Sequence, residues 1–446
     1  MNQATIDFIH EHREDDVRRL ALKGVGKSDI DLPLALQQIA GWQMARHKLP
    51  TWAAVEGIFY PPHLNMEQCS SEQTAKYKQC IIHHTPLELC SPATDGTQEC
   101  TKDGTFIDLT GGLGIDFYFM SQGFERRIYV EQQPTLCDIA RHNFALLGLE
   151  CSVVCDNAAD YLRRIDHASV IYLDPARRDI QGKRTYSIAD CTPNVLELLP
   201  LLCEKADSII LKLSPMLDWH KAVEDLEANT QGIMYHYFAV YIVSVQNECK
   251  ELLIEMRNEK GGMRNEAPNE GLRVVCVNLL HNGEKQVFIK MKNEQLKMRD
   301  GNEGMRKDVS LRWQAASQTV RCPSSATLFL YEPNASIMKA GCFDEIALFY
   351  HIQELSANSH LFIADHEVTD FPGRRFRVEA TCSMNKRELK DSLKGVTHAN
   401  IAVRNFPMSA ESLRKRLNLK DGGDVFIFAT TMSDATHQLF ICRKIA

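Results

Sequence analysis

The pattern of apolar and polar positions changes character along the chain. Between residues 5 and 22, Ile6, Ile9, Val17 and Leu20 fall at helical spacing, and Leu34, Leu36, Ile39 and Met44 repeat that spacing over 32–45. Each run predicts an amphipathic helix. Tyr60-Pro61-Pro62 interrupts, and Ser70 or Ser71 can cap a further helix over 70–79. Residues 1–95 therefore read as mostly helical. From Thr105 the texture differs. Short apolar runs at 106–108, 127–130, 152–155, 169–173 and 208–213 read as strands. Helical stretches at 116–122, 134–147 and 158–165 alternate with them. That alternation predicts an α/β fold, a parallel doubly wound sheet with helices on both faces. Residues 239–245 and 252–256 read as a closing antiparallel pair, with Glu248, Lys250 and Glu251 as edge-strand charges that discourage aggregation.

The polar, Gly-rich stretch from Arg257 to Gly271 reads as a linker. Strands at 272–279, 286–292 and 326–331 and a helix over 336–351 follow it. The last segment, 372–446, reads as strand, helix (386–393), strand (401–405), helix (410–417) and a hairpin (424–430 with 438–443). This α+β tail suits a small RNA-binding module better than a catalytic core.

Candidate chemistry gathers at the predicted strand ends. Asp108-Leu109-Thr110-Gly111-Gly112-Leu113-Gly114-Ile115-Asp116 follows the first strand and opens a helix. Glycines there let the backbone approach a ligand and tolerate positive φ. The spacing is not G-x-G-x-x-G, which disfavours a nicotinamide or flavin pyrophosphate site. The loop is also too short for G-x-x-x-x-G-K-[ST], which disfavours ATP hydrolysis. Glu131 closes the second strand, 23 residues after Asp108. A carboxylate there can accept both hydrogen bonds of a ribose diol. Asp156 closes the third strand, where a carboxylate can meet an adenine amino group. Asp174-Pro175-Ala176-Arg177 closes the fourth, at the rim where ligands of doubly wound sheets bind. Arg177, Arg178, Lys183 and Arg184 can contact phosphate there or form a solvated loop.

This order of motifs resembles the class I S-adenosylmethionine-dependent methyltransferases. DLTGGLGID (108–116) is similar to their motif I, with Thr110 where many members have the first glycine. With YLDPARR (172–178) it resembles the bacterial ribosomal-RNA guanine-N2 methyltransferases. The whole chain resembles bacterial methyltransferases with a THUMP-like C-terminus, through LPTW (49–52), YPPHLNMEQCSSEQTAKYK (60–78), SVQNECKELL (244–253), YEPNASIMKAG (331–341), DFPGRRFRV (370–378) and ANIAVRNFP (399–407). That resemblance implies a helical N-terminal domain over 1–95 and a Rossmann-like methyltransferase core over 96–256. A linker over 257–271, a ferredoxin-like domain over 272–371 and a THUMP-like domain over 372–446 would follow.

The resemblance implies S-adenosylmethionine as cofactor. Asp108, Gly112 and Gly114 would hold its methionine moiety, with Thr110 and Gly111 in the same loop. Glu131 would bind the ribose, and Asp156 with the backbone of Asn157 the adenine. Asp174 would accept a hydrogen bond from the target amine, and Pro175 with Ala176 would wall the pocket. Arg177 stands where amino methyltransferases usually carry a base-stacking aromatic, which leaves stacking to Tyr60, Phe59 or Tyr186. Uridine 5-carbon methyltransferases share the DPxR pattern but need a cysteine nucleophile after the fifth strand. Residues 211–216, Leu-Lys-Leu-Ser-Pro-Met, hold none, which disfavours covalent catalysis. The expectation is N-methylation of an exocyclic base amine in tRNA or rRNA, guanine N2 favoured. Two alternatives stay open: a methyltransferase of a protein or small molecule, and a non-catalytic RNA-binding module retaining the fold.

Charge matters through its distribution. The formal net charge is −7, which alone argues against a polyanion partner. Residues 372–446, however, hold 14 Lys and Arg against 7 Asp and Glu, a net of +7 on a body of −14. Arg404, Arg414, Lys415 and Arg416 are the candidate RNA contacts in that tail, with a solvated basic face as the alternative. The 15 cysteines are odd in number and form no CxxC, so reduced thiols are expected and no metal. The N-terminal stretch carries Asp7, Glu11, Glu14, Asp15 and Asp16, unlike a secretory signal, and no apolar run reaches the ~18–20 residues of a bilayer span. A cytoplasmic protein without a membrane partner is the expectation.

Overall fold

The computed structural model describes residues 1–23, 29–83, 102–176, 187–230, 235–258, 272–291, 327–356 and 358–445. Arg177, Arg178, Lys183, Arg184, Tyr186 and the linker from residue 259 lie outside them. The chain divides into two units. The first contains Met1–Val245 and Lys250–Leu272 with the short stretch His281–Glu284. The second contains Gln246–Cys249, Arg273–Leu280 and Lys285–Ala446.

The first unit opens with helices α1 (Gln3–His12), α2 (Val17–Lys23), α3 (Leu32–Lys48), α4 (Pro50–Ala53), α5 (His63–Gln68) and α6 (Glu72–Ile82). The single helix expected over 5–22 is two. Asp16 accepts the Arg19 N–H at 2.9 Å, so an acid within the helical period caps a second helix. Phe8, Leu20, Ala35 and Ile39 still share one buried cluster. Ser71, not Ser70, caps α6 by accepting the Thr74 N–H.

The α/β core follows as β1 (Lys102–Asp108), α7 (Ile115–Met120), β2 (Phe124–Glu131), α8 (Pro134–Leu146), β3 (Ser152–Cys155), α9 (Ala158–Arg164) and β4 (Ala168–Leu173). It continues with α10 (Val195–Lys205), β5 (Ala206–Leu213), α11 (Trp219–Asn229), β6 (Tyr235–Val245) and β7 (Glu248–Asn258). These strands are ordered β3-β2-β1-β4-β5-β7-β6. β1 to β5 are parallel, and β7 runs antiparallel to β5. β1 and β4 are neighbours although two strands intervene in sequence, so the order reverses between them. Ligands of such sheets bind beyond the C-terminal strand ends at that switch point. β7 is an interior strand, which corrects the edge reading of Glu251: that residue is 4% exposed.

In the second unit β8 (Arg273–Leu279) and β9 (Lys285–Met291) pair antiparallel. Then come β10 (Leu328–Pro333), α12 (Ala335–Ala340), α13 (Phe343–Phe349), β11 (Gln353–Glu354), β12 (Phe362–Ala364) and β13 (Gly373–Ser383). The chain ends with α14 (Lys386–Ser392), β14 (Asn400–Arg404), α15 (Ala410–Leu417), β15 (Val425–Thr431) and β16 (His437–Lys444). The helix expected over 336–351 breaks because Gly341 takes φ +69° as a left-handed cap. One sheet, ordered β11-β12-β10-β13-β16-β15-β14, runs through all of these later strands. Phe376, Phe428 and Phe440 join a cluster on one face, while the alternate residues Ile427, Leu439 and Ile441 face the other. Leu389 and Leu393, in and just after α14, and Leu413 of α15 pack on that second face. No helix among the described residues is long and apolar enough to cross a membrane.

Candidate functional site

Asp108 ends β1, 1% exposed. Its Oδ1 accepts the Thr110 N–H at 2.9 Å, which folds the chain into the glycine turn. The Thr110 hydroxyl accepts the Asp174 N–H at 2.6 Å. The threonine that departs from the usual glycine thus ties the turn to the end of β4. The glycines divide by cause. A Cβ on Gly111 would lie 2.2 Å from the Tyr129 ring, and one on Gly114 would lie 2.5 Å from Phe144. A Cβ on Gly112 would meet only the Thr110 carbonyl, at 3.8 Å, but its φ of +56° still favours glycine. Gly111 therefore serves core packing, Gly114 serves both packing and a left-handed φ of +85°, and Gly112 is the open face of the turn.

Glu131 ends β2, with Oε2 accepting the Gly112 N–H and Oε1 the Gln133 N–H, each at 2.9 Å. Each oxygen keeps a second lone pair. Asp156 follows β3. It pairs with Arg164 through Oδ2 and accepts the Asn157 N–H at 2.8 Å through Oδ1. The Asn157 side chain caps α9 by accepting the Ala159 N–H. The backbone N–H expected to meet adenine is therefore engaged by Asp156.

Asp174 follows β4, with Pro175 buried and Ala176 exposed; Ala176 bridges Thr192 in both backbone directions. Asp174 Oδ2 accepts a hydrogen bond from Lys212 Nζ at 2.6 Å. Lys212 also donates to Ser70 Oγ at 3.0 Å and lies 3.5 Å from Asp116 Oδ2. Asp116 receives hydrogen bonds from Ser70 Oγ and Tyr172 OH, each at 2.7 Å, and pairs with Lys78 at 3.1 Å. Lys78, fully buried, reaches Glu251 at 2.5 Å. This network was not anticipated from the sequence. The available signal was Lys212 interrupting the apolar run Ile209-Ile210-Leu211-Lys212-Leu213.

Electrostatics separate the three aspartates. Burial raises the Asp108 carboxyl well above its usual range, and the neighbouring Asp116, Asp174 and Glu131 add to this. Asp116 is also buried, but Lys78 and Lys212 hold it well below. Desolvation raises Asp174, and Lys212 pulls it part of the way back.

Of the stacking candidates, Tyr60 is corrected: its ring is 4% exposed and packs over Gly41 in the helical core. Phe59 lines a cavity with Trp42, Ile139 and His142 that no residue of the strand-end cluster enters. In the tail, Arg404 pairs with Glu332 at 2.8 Å, Arg414 with Asp421 at 2.5 Å and Lys415 with Glu411 at 2.8 Å. Arg416 is exposed. A second basic set lies outside the expected one. Lys386, Lys390 and Lys394 recur every four residues in and just after α14, beside Arg387, and all four are exposed. That spacing was the signal in the sequence that could have found them.

A glycine turn and three acids at the ends of β1, β2 and β4, around the switch point of this strand order, define a class I methyltransferase core. A family model described as a THUMP domain-like domain matches residues 373–444, and one described as a ferredoxin-like domain matches 329–372. The two segments meet within a single sheet, at the start of β13. A crystal structure of a protein assigned as a methyltransferase, from Porphyromonas gingivalis W83, is 30% identical. It covers 99% of this chain and 98% of its own at a TM-score of 0.75. Two curated relatives from Mycobacterium tuberculosis, strains CDC 1551 / Oshkosh and H37Rv, are 28% identical over 114 residues. Both are described as uncharacterized S-adenosylmethionine-dependent methyltransferases. The match covers 26% of this chain, which spans 30% of the length of those relatives. The chain belongs to the S-adenosylmethionine-dependent methyltransferase family with C-terminal ferredoxin-like and THUMP-like domains.

The residues present fit that cofactor. Asp108 has no cationic partner among the described residues, and a ligand ammonium beside it would supply one. Glu131 retains acceptor capacity for two hydroxyls. Gly112 leaves the space beside the turn open.

Proposed function

We propose that this chain methylates an exocyclic base amine in RNA, with guanine N2 of tRNA or rRNA the favoured target. The observation that carries the reading is the convergence of the Gly112 turn, Glu131 and Asp174, linked by the Thr110 hydroxyl and the Glu131 carboxylate. S-adenosylmethionine, when bound, supplies an electrophilic methyl group. Asp108 would face its ammonium, Glu131 its ribose and Asp156 its adenine. Asp156 pairs with Arg164 through Oδ2, and its Oδ1, which accepts the Asn157 N–H, keeps a second lone pair for the adenine amino group. Asp174 Oδ1, which has no partner among the described residues, would accept a hydrogen from the target amine. An amine needs orientation and loss of one proton, which a single carboxylate can provide. Lys212 on β5, with no cysteine through residue 216, supports nitrogen over carbon as the methylated atom.

The THUMP-like description and the exposed set Lys386, Arg387, Lys390 and Lys394 support RNA as the substrate. A protein or small-molecule substrate is the second reading, favoured by the carboxylate partners of Arg404, Arg414 and Lys415. One experiment separates the two. RNA from a deletion strain and from its parent is incubated with the protein and labelled cofactor, then digested to nucleosides. Label in the deletion-strain RNA alone is expected, and Gly112→Arg should abolish it. Absence of label from both RNAs would favour the second reading.

A further inference from the structure

We infer that Lys212 is a positioning residue for Asp174, and that Ser70 of the N-terminal helical segment holds Lys212 in its turn. The inference rests on the proposed amine methylation. Lys212 is 9% exposed on a strand whose other residues from 209 to 213 are buried and apolar. A leucine or methionine would suit that pattern, and burying an ammonium is costly unless its partners compensate. Its partners are specific. Nζ donates to Asp174 Oδ2 at 2.6 Å and to Ser70 Oγ at 3.0 Å. Ser70 is itself fixed, donating to Asp116 at 2.7 Å and accepting from Lys78 at 3.1 Å.

The consequence is chemical. By occupying Oδ2, Lys212 leaves Oδ1 for the target amine. In the transfer the amine nitrogen bonds to the methyl carbon. The carbon–sulfur bond breaks with its electron pair on sulfur. The nitrogen's surplus proton passes to Asp174. Only the ionised carboxylate can take it. The groups that bear on Asp174 include Lys212 from β5, Lys78 from α6, Asp116 from α7, Asp108 from β1 and Tyr172 from β4, with Glu251 from β7 paired to Lys78 behind them. Without Lys212, the Asp174 carboxyl, already raised by desolvation, would lose its strongest lowering neighbour and rise further, leaving Lys78 to offset Asp116. In its protonated form Asp174 would donate a hydrogen bond where it must accept one.

The test compares wild type with Lys212→Met, Lys212→Arg and Ser70→Ala. Methyl transfer from labelled S-adenosylmethionine to deletion-strain RNA is followed from pH 6 to 9. Calorimetry with S-adenosylhomocysteine is run at each pH. Lys212→Met should lose at least about tenfold at pH 7, and its ascending limb should move to higher pH. Its S-adenosylhomocysteine affinity should stay within about twofold of wild type, since the change lies beside Asp174 and not the cofactor acids. Lys212→Arg should restore the limb, and Ser70→Ala should shift it in the same direction by less. A loss by Lys212→Met that is equal at every pH would overturn the inference, as would an unmoved limb. Should Lys212→Met fail to fold, an unshifted Ser70→Ala profile overturns it instead. A wild type that binds S-adenosylhomocysteine but labels no RNA overturns the functional reading together with this one.

Discussion

Asp108 and Asp116 are eight residues apart, both buried and both at the site, yet their protons are held in opposite ways. Burial would raise both; Asp116 faces two ammoniums and is lowered, while Asp108, desolvated beside three acids, is raised. A carboxyl raised on folding binds its proton more tightly folded than unfolded. It therefore opposes folding once pH exceeds the unfolded value, about 3.9. The opposition grows until pH passes the folded value. Asp108→Asn keeps an oxygen for the Thr110 N–H and removes the charge. It should raise the melting temperature at pH 8, with the gain shrinking towards pH 5, while S-adenosylhomocysteine binding is lost. A melting temperature below wild type at pH 8 would show that the charge is not a burden. Asp108 is legible in the sequence through its motif, but this cost is not, because it depends first on burial and then on Asp116, Asp174 and Glu131 arriving from three other elements. The glycines illustrate the same limit. GGxG marks a turn, and only the fold shows that Gly111 and Gly114 yield to Tyr129 and Phe144 while Gly112 stays open.

At the scale of elements, period and caps carried most of the core. β3 matches the expected 152–155, and α15 the expected 410–417. Departures arose where one residue outweighed the period, as Asp16 did within the expected first helix and Gly341 did at the α12–α13 junction. A strand's neighbours are not written in its own residues. β7 alternates like an edge strand at Glu248 and Lys250, yet it inserts between β5 and β6, which turns Glu251 into a buried partner of Lys78. The two serines before α6 show how close structural and functional roles can sit. Ser71 caps the helix and Ser70 joins the Lys212 network. Ser71→Ala should cost about 1 kcal/mol of stability, read by denaturant unfolding, and leave the pH profile of methyl transfer in place. If Ser71→Ala shifted that profile, the division of labour between the serines would be wrong.

For the whole chain, net charge is the least informative quantity and the pairing of charges the most. The body of −14 includes Asp116, Asp174 and Glu251, whose charges are matched by Lys78 and Lys212. The tail of +7 includes Arg404 and Arg414, whose charges go to Glu332 and Asp421. What a polyanion can meet is the remainder. In the THUMP-like segment that remainder includes Lys386, Arg387, Lys390 and Lys394, with Arg416 on the second helix of the same sheet face. Reversing Lys386, Lys390 and Lys394 to glutamate should weaken binding of total tRNA, measured by filter retention across a salt series. It should also make the plot of log affinity against log salt shallower, by about 0.7 for each single-strand phosphate no longer neutralised. Melting temperature should hardly move, since these side chains are exposed. Arg404→Glu should behave in the opposite way. Glu332 is 2% exposed, so a like charge beside it should lower stability first and change the salt slope little. Equal salt slopes for wild type and the triple reversal would remove α14 as a phosphate-binding helix.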